Sequence, residues 1–306
     1  MDKQTERTKR SLLRRVRNQR LKYIAVLPSL ITLMNGIFGF AAIIFSCKAG
    51  HFNPTAPGAE EFPYFTVACY MLGLAMVADM LDGRIARISH STSSFGGQLD
   101  SLCDMISFGA APAALMLGFI STKVNFNPAF NVLTHRFLWL AAAIYIGCTA
   151  IRLARFNVEN EEDEASHKSF LGLPSPAAAG VVVSLVFFHE YLLEGQVAGT
   201  TIIGSILINT IVFTLPFITI GVALLMISRL TYPHIVNQYF LGRKPFAYLL
   251  WTVFLLLLII FIFEIASAVI FCCFAASGPA KWLYHKIASL KDNRDKANDS
   301  VLTISH

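Results

Sequence analysis

Asp79-Met80-Leu81-Asp82-Gly83-Arg84-Ile85-Ala86-Arg87 is followed, after a short polar stretch, by Gly96-Gly97-Gln98-Leu99-Asp100-Ser101-Leu102-Cys103-Asp104. These residues set four carboxylates in a chain that is otherwise mostly hydrocarbon. An ionisable group at membrane depth is destabilising unless it is paired or binds a cation. Asp79 and Asp82 are three residues apart, and Gly83 and Ala86 extend the same stripe, so one helix carries all four on one face. Asp100 and Asp104 are four apart and share a face of a second helix, with Gly96 one turn earlier. If the two helices run antiparallel, joined by the polar loop from Ser89 to Phe95, their faces meet in a cluster of hard oxygen ligands. Such a cluster suits Mg²⁺ or Mn²⁺ better than zinc.

The surroundings predict the setting. Of 306 residues, 55% are hydrophobic and 14% charged, against about 25% charged in a soluble domain. The reading is an all-α integral membrane protein, a polytopic helix bundle of about eight transmembrane helices, with seven as the alternative. Apolar spans are expected at about Ile24 to Cys47, Tyr64 to Ile88, Gly96 to Ile120, Arg136 to Phe156, Ser175 to Tyr191 and Ile202 to Ser228. The run Phe246 to Trp282 is too long for one crossing of about 20 residues but enough for two, with a tight external turn near Glu264. Eight spans put all of the 25 Lys and Arg on the inner side except Lys48, Lys123 and Arg136. Nine of them precede residue 23, so residues 1–22 read as a basic cytoplasmic tail. The net charge of +6 is thereby a membrane anchor near anionic lipid, and a nucleic-acid arm is the weaker reading. The first span is longer than a signal-peptide core and is expected to be retained. Residues 285–306 read as a polar, disordered cytoplasmic tail, and the six cysteines as small buried hydrophobes without metal or disulfide spacing.

Two further clusters lie on the inner side. Pro28, Thr32 and Asn35 recur on one face of the first span, where polar groups act as interhelical glue. Arg152 and Arg155 share a face at the end of the fourth span, either as a positive-inside anchor or as a guanidinium fork for a phosphate or carboxylate.

Written as spacing, the central stretch is Asp-x2-Asp-Gly-x2-Ala-Arg-x8-Gly-x3-Asp-x3-Asp. It resembles the signature of the CDP-alcohol phosphotransferases at every fixed position. The likeness covers residues 24 to about 235 and makes residues 23–235 the catalytic membrane domain, followed by a transmembrane hairpin at 236–284. Arg152-Leu-Ala-Arg155-Phe-Asn157, then Gly172-Leu-Pro-Ser-Pro-Ala-Ala-Ala and Arg229-Leu-Thr-Tyr-Pro-His, are similar to the bacterial membrane-type phosphatidylserine synthases. The resemblance implies CDP-diacylglycerol as donor, L-serine as acceptor and a two-metal site of Mg²⁺ or Mn²⁺. It implies Asp79, Asp82, Asp100 and Asp104 as metal ligands, with Asp104 alternatively the catalytic base. Asn35, Gly83, Ala86, Arg87 and Gly96 would border the nucleotide, and Arg152 or Arg155 the acceptor or lipid phosphate. A homodimer in the inner cell membrane, its site facing the cytoplasm, is the further expectation. Two other readings stay open: glycerol 3-phosphate or an inositol phosphate as acceptor, and an ion or proton transporter using the aspartates as its path.

Overall fold

The structure, a computed structural model, describes residues 28–49, 62–89, 94–124, 128–162, 172–194, 202–230, 232 and 263–304. Among the described residues the chain is all-α. Its helices are α1 (Pro28–Ala49), α2 (Tyr64–Ser89), α3 (Ser94–Asp104), α4 (Ala111–Lys123), α5 (Pro128–Glu162), α6 (Ser175–Glu194), α7 (Ile202–Ile227) and α8 (Phe263–Ile304). A π-helical turn, Met105–Ala110, joins α3 to α4 in one continuous span. Among the described residues seven segments are long and apolar enough to cross a membrane, so the chain is a polytopic membrane bundle. Of the eight-span reading, the crossing over 246–262 lies outside the described residues. The described part of that run is α8, which starts at Phe263 with Glu264 in its first turn. The basic tail, residues 1–22, also lies outside them.

The chain divides into two compact units, Met1–Glu162 and Asp163–His306. The first holds α1 to α5. Its α1 reverses the amphipathy of a soluble helix: Pro28, Thr32, Asn35, Gly39, Ala42 and Ser46 are buried, while Leu30, Leu33, Ile37, Phe40 and Ile44 are exposed. Lipid is as apolar as leucine, so bulky residues gain nothing by facing inward, and small or polar ones let backbones approach. Gly39 is such an approach, since a Cβ there would meet the Ser107 Cα at 2.6 Å. At the other end of α1 the Ser46 carbonyl lies close against Gly118 of α4. Pro112 explains the π turn. It has no N–H to continue an α-helical ladder, and the wide turn just before it, closed by Ala111 N–H to the Ile106 carbonyl, absorbs the break.

In the second unit α6 packs against both α7 and α8. The chain enters α6 through Gly172, whose φ of 82° is left-handed and favours glycine. Backbone N–H groups of Gly172 and Leu173 donate to the carbonyls of Leu230 and Leu225 at 2.8 and 3.0 Å, tying the start of α6 to the end of α7. Tyr232 fills the space beside Gly278 of α8 and donates its hydroxyl to the Ala275 carbonyl at 3.2 Å.

Three expectations are corrected. α5 begins at Pro128 rather than near Arg136, because proline is pre-organised for a first helical turn, and it runs on to Glu162. The C-terminal stretch is helical to Ile304 rather than disordered, since no glycine or proline interrupts it after Pro279. Cys47 and Cys273 are exposed rather than buried, as befits small apolar groups on a helix whose outside is lipid.

Candidate active site

Asp79 and Asp82 lie toward the C-terminal end of α2, and Asp100 and Asp104 in α3 after the chain has reversed. The four meet at one end of the first unit. One carboxylate oxygen from each of Asp79, Asp82 and Asp100 lies within 4.8 Å of the others. Asp82 Oδ2 and Asp100 Oδ1 are buried without a hydrogen-bond partner among the described residues. Buried acceptors are almost always satisfied, so two orphaned oxygens in an anionic, all-oxygen set fit a divalent cation. The arrangement can hold one.

Asp104 is buried beside these three, whose charges act on it. It is not in the set whose oxygens converge. Its Oδ1 accepts a hydrogen bond from Asn35 Nδ2 of α1 at 2.9 Å. This is the orientation in which the amide donates to an ionised Asp104. Ser107 Oγ donates to the Asn35 backbone carbonyl at 2.9 Å. A Cβ on Gly36 would lie 3.0 Å from Cys103 Sγ, so α1 is seated closely along α3. The Thr32 hydroxyl, on the same face of α1, donates to the Pro28 carbonyl at 3.0 Å, with Asp82 nearby.

On the other flank Asn157 of α5 is bound to Ser101 of α3, its Nδ2 2.9 Å from the hydroxyl. This brings the C-terminal end of α5 against the carboxylate helix. Arg152 and Arg155 share a half-buried face of α5. At about 100° per residue that face lies about 140–160° around the helix from Asn157, so the arginines are not drawn into the cluster by that contact. Gly83 has nothing within 4 Å of where a Cβ would stand, unlike Gly36 and Gly39. No contact among the described residues demands a glycine there, and the space beside Asp82 is open. Gly96 is half-buried in α3. Ala86 and Arg87 lie in α2, their side chains outside those described.

Sequence reading missed Ser101, Ser107 and Asn157. Ser107 was detectable, because Asp100, Asp104 and Ser107 continue one i, i+4, i+7 stripe. Asn157 carried a weaker sign, its place at the end of the Arg-Leu-Ala-Arg-Phe-Asn string.

A polytopic helix bundle with a carboxylate centre near one end is a membrane protein with an intramembrane, cation-competent site. Within that class, the chain belongs to the CDP-alcohol phosphatidyltransferase family, whose sequence profile matches residues 25–215. The family transfers phosphatidyl groups, and the matched segment contains every residue of the site. The chain is 34% identical over 172 residues to a CDP-diacylglycerol–serine O-phosphatidyltransferase of Helicobacter pylori, covering 56% of this chain and 62% of that protein. Against the enzyme of that name from Saccharomyces cerevisiae it is 36% identical over 162 residues, 51% of this chain and 52% of the relative. Against that of Methanocaldococcus jannaschii it is 30% identical over 221 residues, 72% and 80%. The chain thus spans little more than half the length of the first two relatives.

Proposed function

We propose that the chain transfers the phosphatidyl group of CDP-diacylglycerol to the hydroxyl of L-serine, giving phosphatidylserine and CMP. The observation that carries this reading is the convergence of Asp79, Asp82 and Asp100, with Asp104 beside them, inside the family-matched segment. The names of the relatives support serine as acceptor. Asp79, Asp82, Asp100 and Asp104 are the candidate ligands for two Mg²⁺ or Mn²⁺ ions, Asp104 being also the candidate base. Cations bound there supply offset of the pyrophosphate charge and polarisation of the phosphoryl oxygen.

The rest falls to the chain's own residues. The serine oxygen bonds to the phosphorus that carries the diacylglycerol, the bond from that phosphorus to the CMP oxygen breaks, and the hydroxyl proton passes to Asp104. The open side of Gly83, with Ala86, Arg87, Gly96 and Asn35, borders the nucleotide. Arg152 or Arg155 takes the serine carboxylate or the lipid phosphate. The acyl chains stay in the bilayer, and the site faces the cytoplasm from the inner cell membrane, the chain working as a homodimer without nucleic acid.

The test is CMP release by the purified protein from CDP-diacylglycerol with Mg²⁺ or Mn²⁺, offering serine, glycerol 3-phosphate and inositol phosphate separately. Serine- and metal-dependent release establishes the reading. Release with another acceptor keeps the chemistry and changes the substrate, whereas no release with any acceptor overturns it in favour of an ion path. Arg155→Ala is expected to lose most transfer with metal binding intact; unchanged kinetics in both Arg152→Ala and Arg155→Ala would remove the arginines from the site.

A further inference from the structure

The four carboxylates are not equivalent. Three bring an oxygen each to a common point, while Asp104 turns its Oδ1 to α1, where Asn35 takes it. We propose that Asn35 is a positioning residue: its amide holds Asp104 apart from Asp79, Asp82 and Asp100 and leaves the other oxygen of Asp104 to the acceptor hydroxyl. The set is thereby divided into three carboxylates for the cation and one for the proton. This rests on the phosphatidyl-transfer reading; within it, the role of base replaces metal ligation for Asp104, and positioning replaces a nucleotide contact as the main role of Asn35.

Asn35 is fully buried, so no water competes for its N–H. Its backbone cannot withdraw, because Ser107 donates to its carbonyl and Gly36 and Gly39 seat α1 against Cys103 and Ser107. The amide is also the right kind of donor. A neutral N–H fixes one oxygen of Asp104 in place without adding a charge to the cluster. Its own Oδ1 is buried without a partner among the described residues, an acceptor left over beside the site for a donor on a bound substrate. A residue that only packed α1 onto α3 would need neither the donor nor the spare acceptor; leucine has nearly the same shape.

The test uses the full chain in mixed micelles, with Asn35→Leu removing the donor and Asn35→Ser keeping a shorter one. CMP release gives kcat and KM, CMP titration gives nucleotide affinity, and paramagnetic resonance gives bound Mn²⁺. The expected result for Asn35→Leu is a fall in kcat of about 10²-fold, the range of a misplaced general base. KM for CDP-diacylglycerol, CMP affinity and Mn²⁺ bound per chain should stay within about threefold, and Asn35→Ser should regain part of kcat. Kept kcat with raised KM and weakened CMP binding would assign Asn35 to the nucleotide and overturn the proposal. Loss of Mn²⁺ together with kcat would place Asp104 with the other three and do the same. If neither variant can be purified while Asp104→Asn can, Asn35 is a packing residue and the proposal fails. A wild-type chain that binds Mn²⁺ but releases no CMP with any acceptor fails the parent reading instead.

Discussion

At the scale of the residue, crowded carboxylates repel one another unless a cation lies between them. Removing one charge therefore has opposite effects in the two states. Without metal, Asp82→Asn or Asp100→Asn is expected to unfold at a higher temperature than the wild type. With saturating Mn²⁺ the order should invert, since a ligand at about 100 times its Kd stabilises by about 2.7 kcal/mol and only the intact set binds it tightly. Thermal melts with Mn²⁺ and with EDTA check this; a variant that still gains the full Mn²⁺ shift would take that carboxylate out of the site. Gly83→Ala is expected to leave the melting temperature unchanged, because a Cβ there meets nothing, while raising KM for CDP-diacylglycerol about tenfold. The four aspartates were legible in the sequence because spacings of three and four fix a helix face. The Asn35–Asp104 and Ser101–Asn157 bonds were not, as they join residues 69 and 56 positions apart, and no local period reports a partner on another helix.

Among the elements, α1 and the entry to α6 carry backbone constraints that hydropathy does not register. Gly39→Val drives a branched side chain into the Ser107 backbone and is expected to destabilise the first unit by about 1–3 kcal/mol and to lower activity with it. Phe40→Leu, one residue on and facing out, should do neither. Gly172→Ala places a Cβ on a left-handed residue and is expected to destabilise by about 1–2 kcal/mol, read as a lower melting temperature in detergent. The helices themselves were legible from length and apolarity, to within a turn at most ends, because a bilayer demands both. The π turn was not, since reading faces at 3.6 residues per turn assumes the regularity that Pro112 breaks. The polar end of α8 was missed for the converse reason: composition suggested a free tail, but nothing in it stops a helix.

For the whole molecule, the position of the carboxylates matters as much as their chemistry. Asn35 lies near the start of α1, Asp82 near the end of α2, Asp100 near the start of α3 and Asn157 near the end of α5, so the alternating helices deliver all of them to one end. If that end is the one with the basic N-terminal run, inverted membrane vesicles should release CMP to the outer medium and sealed right-side-out vesicles should not use added CDP-diacylglycerol head groups at all. Equal rates in both would reject the orientation. A site at one end has a consequence for the bilayer itself. Under the proposed reaction, a lipid whose head group reacts there would keep its tails in the adjoining leaflet from arrival to departure, and the new phospholipid would be born on one side only. Each turnover of that reaction would therefore add to the compositional asymmetry of the membrane.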